Sequence, residues 1–522
     1  MYRKKLFFLI LICTCIRLFI ASSLNLGNDE VYYYTYALHM QSNYFDHPPG
    51  VAFLIRLFTF NLFFKQEVFI RLGAICCAAA GTLLSFYIGK ELRNERTGWF
   101  AAILYNTSIY SSVIAGTFIL PDSPQLVFWL ASLFMMIHIV KLHLNKDPLN
   151  PAHWLLFGLA NGLCIMCKVH GVFLWFGFGL YILFFNRSFL KIPGLYLSFA
   201  ITMLLISPIL LWNIQNDFVT WNYHSGRVAV NHFVLDLSDF GQAIGGQIFY
   251  NNPLNVILSI LAIGYLGKRR QLKKDSYLLL LVCGLPMIAA VTGISLYDSV
   301  LPHWSGPAFT TLSFLGAIYL DTIFENRAFI SYPGVLVASM LLTGSILTGG
   351  MAFINYYPGT IGSEKNENYG ELDFTLDLRG WRSFSQRFLT WEKQAVQQKK
   401  LDPKIKIVCD KWFPAAHLDY YIARHLGTFV TGVGKVDDLH HYVWLNNYRP
   451  PLEPGDNALC IVPSNDPDNP YVSYGQNFQG VKFLQTFDQF RNGYLVRYFR
   501  VYLLTGYKGG DEASRFKIGT QF

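Results

Sequence analysis

MYRKKLFFLILICTCIRLFIASSLNLGNDE, residues 1–30, sets the physical class of this protein. Three bases, Arg3, Lys4 and Lys5, precede an apolar run that reaches Ile20, and the polar stretch after it closes on Asn28-Asp29-Glu30. About 20 apolar helical residues cross a hydrocarbon core ~30 Å thick, and bases at one end hold that end on the cytoplasmic side. A cleaved signal peptide shares the basic start and would use small residues such as Ala21-Ser22-Ser23. Arg17 inside the run is foreign to such a peptide, and many apolar runs follow. The segment therefore reads as a retained first transmembrane helix.

Counting 5–24, apolar runs at about 68–89, 98–118, 123–141, 153–168, 171–186, 194–212, 253–267, 276–296, 304–322 and 329–354 predict eleven spans. Alternate loops are basic: Lys90, Arg93 and Arg96; Lys141 and Lys146; Arg187 and Lys191; Lys268, Arg269, Arg270, Lys273 and Lys274; Arg327. With those loops inside, an odd number of spans places the tail outside. Charges, prolines and short β-rich runs after Asn355 predict an extracytoplasmic α/β domain. The expected organisation is a polytopic α-helical membrane domain, 1–355, with a large first outer loop over 24–67, and a soluble domain, 356–522.

Only 14% of the 522 residues are charged, against roughly 25% in soluble domains, which excludes a wholly water-soluble chain. The net charge of +9 lies mostly in short loops. That is a topology signal, and it argues against a nucleic-acid partner. Cys164 and Cys167 form a C-x-x-C without the second pair or histidines of a zinc site. Cys409 and Cys460 lie in the tail, where an extracytoplasmic location permits a disulfide.

The loops opposite the basic ones have a different chemistry. They carry Asn28-Asp29-Glu30, Phe45-Asp46-His47-Pro48-Pro49-Gly50, Leu120-Pro121-Asp122, Lys168-Val169-His170, Trp212-Asn213 through Arg227, and Leu301-Pro302-His303-Trp304. Ionisable groups at the hydrocarbon boundary are costly and mark function, and six segments sharing one face point to a site. Tyr32-Tyr33-Tyr34 and Tyr36 suit a helix lying in the membrane interface. Each residue also has a plain structural use. Asp29 and Glu30 can cap a helix, Asp46 and His47 can shape a proline corner, and Lys168 can snorkel. Arg227 can meet headgroups, and His303 can sit among interfacial aromatics. Taken together they supply both halves of glycosyl transfer: acids to deprotonate an acceptor hydroxyl, and bases to stabilise a departing phosphate.

In this order, Asn28-Asp29-Glu30, Tyr44 to Pro49, Leu120 to Pro124, Cys167 to Gly171, Ser207-Pro208 with Leu211 to Asn213, and His303-Trp304 resemble the GT-C fold polyprenyl-phosphate-sugar glycosyltransferases. The nearest group is bacterial family 39-like, related to protein O-mannosyltransferases and the lipid A aminoarabinose transferase. The likeness covers residues 1 to about 355, and Thr375-Leu376-Asp377-Leu378-Arg379-Gly380-Trp381 extends it into the tail. The resemblance implies a dolichyl- or undecaprenyl-phosphate sugar donor and a protein, lipid or glycan acceptor. It implies catalysis by Asp29, assisted by Glu30 and Asp46, with His47, Lys168, His170, Arg227 and His303 toward the donor phosphate. It also implies a bacterial plasma (inner) membrane location. Metal use varies across the superfamily; a divalent ion is compatible with it, and no metal ligand is assigned. A non-enzymatic flippase or binding protein for lipid-linked sugars is the alternative reading, since it needs the bases but not the acceptor base.

Overall fold

The computed structural model describes residues 2–228, 234–269, 274–326 and 332–509. Arg270, Lys273 and Arg327, counted above among the inner bases, lie outside the described residues. The chain forms two compact units, Met1–Ala21 with Ser42–Leu347, and Ser22–Gln41 with Thr348–Phe522. The stretch 24–67 is therefore not one outer loop, because its first part folds with the tail.

The first unit is helical. Among the described residues, six helices are long and apolar enough to cross a membrane: Tyr2–Ser23, Glu67–Leu92, Asp122–Asn145, Pro193–Gln215, Lys274–Ile294 and Gly334–Tyr356. A seventh span results if Leu237–Tyr250 and Pro253–Lys268, bent by 93° at their break, count as one. The bend falls where Asn252 takes a left-handed conformation (φ 63°) directly before Pro253, which suits the first turn of a new helix.

The remaining apolar runs do form helices, Glu95–Thr107, Pro151–Cys167, Val172–Phe185 and Gly306–Ile323, but these fall short in length or apolarity. Every residue from Thr97 to Thr107 is buried, as is nearly all of Gly306–Ile323. A helix enclosed by other helices needs no lipid-compatible surface, so it carries Asn106, Thr107, Thr310 and Thr311.

Close backbone approach fixes one pair of these helices. Glu67–Leu92 turns into Glu95–Thr107 through Asn94, whose side chain accepts from the Thr97 N–H at 2.9 Å. A Cβ on Gly98 would lie 2.4 Å from the Phe86 carbonyl oxygen, so only glycine permits this packing. Arg93 reaches buried Asp321 at 2.7 Å, and Arg96 pairs with the same carboxylate. Arg93 and Arg96 thus tie the hairpin to Gly306–Ile323.

The second unit is built on a five-stranded mixed sheet, in the order Val430–Gly432, Lys406–Cys409, Ala458–Pro463, Tyr494–Tyr507, Phe478–Arg491. The first three strands run parallel, and the last two form an antiparallel hairpin. Asn492 and Gly493 turn that hairpin with positive φ at both positions, the geometry a tight hairpin turn requires. Cys409 and Cys460, on adjacent strands, are free thiols.

Residues 22–41 join this unit through specific bonds. Asn25 donates its N–H to the Leu378 carbonyl (2.9 Å), and its side chain accepts from the Trp381 N–H (2.9 Å). The Leu26 N–H donates to the Tyr421 hydroxyl at 2.8 Å. The helix Asn28–Leu38 then packs on Trp412–Leu418. The tyrosines expected in the membrane interface are buried here instead. Tyr32 lies 5.1 Å from Trp412, Tyr34 5.1 Å from Tyr420 and Tyr36 4.8 Å from His441, ring to ring.

Candidate functional site

In the first unit the proline corner is docked on the end of a helix. The Tyr44 N–H donates to the His47 carbonyl at 3.2 Å, closing the turn. Gly50 opens the next helix where a Cβ would lie 2.7 Å from the Cys167 Sγ and 2.8 Å from the Cys167 Cα. The corner bearing Asp46 and His47 is thereby pinned beside Lys168.

Lys168 is not a free cation. Its Nζ lies 2.8 Å from Asp122 Oδ2, and both side chains are buried. Tyr110 donates its hydroxyl to the other Asp122 oxygen at 3.0 Å, and Gln125 donates to the Lys168 carbonyl at 3.3 Å. Arg227, by contrast, is exposed, and its guanidinium lies 5.4 Å over the Trp304 ring and 5.5 Å over Tyr223. Among the described residues no carboxylate pairs with Arg227. Of these two bases, the resemblance pointed more firmly to Lys168.

The histidines gather around these charges. His224 Nε2 meets the Asp46 carbonyl oxygen at 2.6 Å, and its ring lies 5.9 Å from His47. The His170 ring lies 5.8 Å from Trp304, and His303 lies 6.2 Å from Tyr250. Burial pushes His47 well below the ordinary histidine range, helped by His224 and Lys168. Burial also pushes His303 down to about 4, partly opposed by Asp122. These imidazoles are neutral near pH 7 and act as hydrogen-bonding groups rather than charges. Asp46, His47, Lys168, His170, Arg227 and His303 are thus brought to one region of the first unit. Asp122 and His224 join them there, and neither stood among the sequence-derived site residues. An acid opening a helix after Pro121 was the signal for Asp122, but its partner is 46 residues away.

Asp29 and Glu30 belong to the second unit, and the structure separates their roles. The Glu30 carboxylate is buried and accepts from the Gly27 N–H at 2.9 Å, so it caps the helix Asn28–Leu38. Asp29 is exposed in the first turn. Asn28 meets His417 Nε2 at 2.8 Å, and His417 stacks on Trp381 at 4.1 Å. Asp377, in the Thr375–Trp381 segment, hydrogen-bonds Asn28 and lies within the field of Asp29. Burial raises its carboxyl to about 6, with Asp29 adding to the shift and Arg497 opposing it. The segment singled out in the tail therefore delivers a second acid to Asp29.

Residues 46–212 match the family of dolichyl-phosphate-mannose-protein mannosyltransferases. Asp46, His47, Asp122, Lys168 and His170 all fall within that segment. The whole chain shares its fold with ArnT from Cupriavidus metallidurans. The undecaprenyl phosphate-bound crystal structure matches at 15% identity over 95% of this chain and 97% of that one, with a TM-score of 0.60. The apo structure of ArnT from the same organism matches at 14% identity over 96% and 98%, with a TM-score of 0.61. No curated protein matches the chain in sequence. The matched segment and the shared architecture both agree with the resemblance read from the sequence.

Proposed function

We propose that the protein moves a sugar from a polyprenyl-phosphate donor to a hydroxyl of a protein, lipid or glycan acceptor. The acceptor oxygen attacks the anomeric carbon, and its proton passes to Asp29. The bond from that carbon to the phosphate oxygen breaks, and polyprenyl phosphate leaves with the electron pair. Arg227 takes the phosphate charge, while His47, His170 and His303 offer N–H groups to its oxygens and the Lys168–Asp122 pair holds the floor of the region. The observation that carries this reading is the uncompensated Arg227 beside a histidine-rich corner inside a glycosyltransferase family segment. ArnT bound to undecaprenyl phosphate supports a polyprenyl carrier for the donor.

Purified protein given polyprenyl-phosphate sugars should release polyprenyl phosphate. Arg227→Ala should raise the donor concentration for half-maximal rate about ten-fold, as expected for losing a charge-assisted hydrogen bond. No release from any hexose or pentose donor, or an unchanged donor requirement in the variant, would count against the assignment.

We further propose that the N-terminus is cytoplasmic and the tail extracytoplasmic in a bacterial plasma membrane, supported by the bases of alternate loops. Alkaline phosphatase fused after Phe522, active only outside the cytoplasm, should be active. An inactive fusion alongside an active cytoplasmic reporter at the same position would reverse the orientation.

A further inference from the structure

Away from the polar corner, the first unit holds a cavity of about 350 Å³ between the helices Tyr2–Ser23, Glu95–Thr107 and Gly334–Tyr356. Its wall is largely apolar, with Phe8, Ile12, Ile16, Trp99, Met340 and Leu347. Arg17 interrupts that wall. Its side chain is 4% exposed, Nη2 donates to Asn106 Oδ1 at 3.0 Å, and Nε donates to the Ser112 carbonyl at 3.3 Å. Both partners are uncharged, and among the described residues no carboxylate meets this guanidinium. Five N–H groups are available on an arginine, and these two bonds leave most of them for something else. A buried cation within a membrane helix is costly unless an anion answers it.

We propose that this cavity binds an anionic membrane phospholipid, with its phosphate on Arg17 and one acyl chain along the groove. The dimensions agree. Arg17 and Lys5 both line the cavity, and at 1.5 Å per residue they stand about 18 Å apart along the helix. A single acyl chain, about half of a ~30 Å hydrocarbon core in length, is of the size of that distance. A polyprenyl phosphate carries a similar acid on a chain much longer than the Arg17–Lys5 distance. The site is separate from the donor region and independent of the function proposed above.

The full-length protein in phosphatidylcholine nanodiscs, supplied with phosphatidylglycerol, tests this by native mass spectrometry of retained lipid. The wild type should keep one phosphatidylglycerol per chain. Arg17→Gln should lower its retention about ten-fold, the effect of losing hydrogen bonds to a charged group. Gly344 also lines the cavity, and a Cβ there meets nothing within 4 Å. Gly344→Leu should therefore fill the groove and expel the lipid without changing the unfolding temperature, and it decides the matter if Arg17→Gln does not fold. Wild-type retention in Gly344→Leu would overturn the proposal. So would a wild type that keeps added undecaprenyl phosphate in place of phosphatidylglycerol.

Discussion

Asp29→Asn is expected to lower sugar transfer by about 10²–10⁴-fold, the usual contribution of a positioned general base. The substitution keeps the size of the side chain and removes its basicity. Asp29 is exposed, so folding and donor binding should survive. Glu30→Gln should behave differently, because Glu30 is buried as a cap; it should cost about 1 kcal/mol of stability and little turnover in the molecules that remain folded. Asp377 gives the same region a pH signature. Below about 6 its carboxyl is protonated, and above that its negative charge favours proton uptake at Asp29. Transfer should rise with pH through this range, and Asp377→Asn should flatten the rise. The measurement is transfer in membranes at matched expression. Near-normal transfer by Asp29→Asn would remove the base and favour a flippase or carrier for lipid-linked sugars.

Asp122→Asn is expected to destabilise the first unit by about 3–5 kcal/mol, the cost of leaving a buried charge without its partner. Lys168 would then sit uncompensated among Tyr110, Gln125 and the proline corner. Removing both charges, as in Asp122→Asn with Lys168→Met, should restore most of the unfolding temperature because no isolated ion remains. Transfer should stay low in the double variant if the pair also orders the donor region. Equal unfolding temperatures for the single and double variants would show that Lys168 finds another partner or a path to water.

Much of this was legible in one sequence, and the exceptions have physical causes. The first helix, the proline corner and the residues gathered near it are local signals, carried by apolar run length and by prolines. Which apolar runs face lipid and which are enclosed by protein was not legible, because hydropathy measures a helix without its neighbours. Glu95–Thr107 and Gly306–Ile323 are apolar through burial in protein, so they read like lipid-facing segments. The tyrosines of 32–36 failed for the converse reason. An aromatic run looks the same whether membrane or protein covers it, and Trp412, Tyr420 and His441 lie hundreds of residues away. Lys168 was read as free for a similar reason, since only folding brings Asp122 within 2.8 Å.

The attachment of residues 22–41 to the tail also governs how the protein must be made. Leu26 is bonded to a hydroxyl 395 residues further along, and at 5–20 residues per second the ribosome needs roughly 20–80 s to supply it. Throughout that interval Tyr32, Tyr33, Tyr34 and Tyr36 have left the ribosome without the side chains that will cover them. Nascent chains are therefore most vulnerable to proteases and to mispairing just after the first helix inserts, and a chaperone that shields aromatic surface would act there. The two units cannot be produced as consecutive fragments and mixed, because one of them begins inside the other.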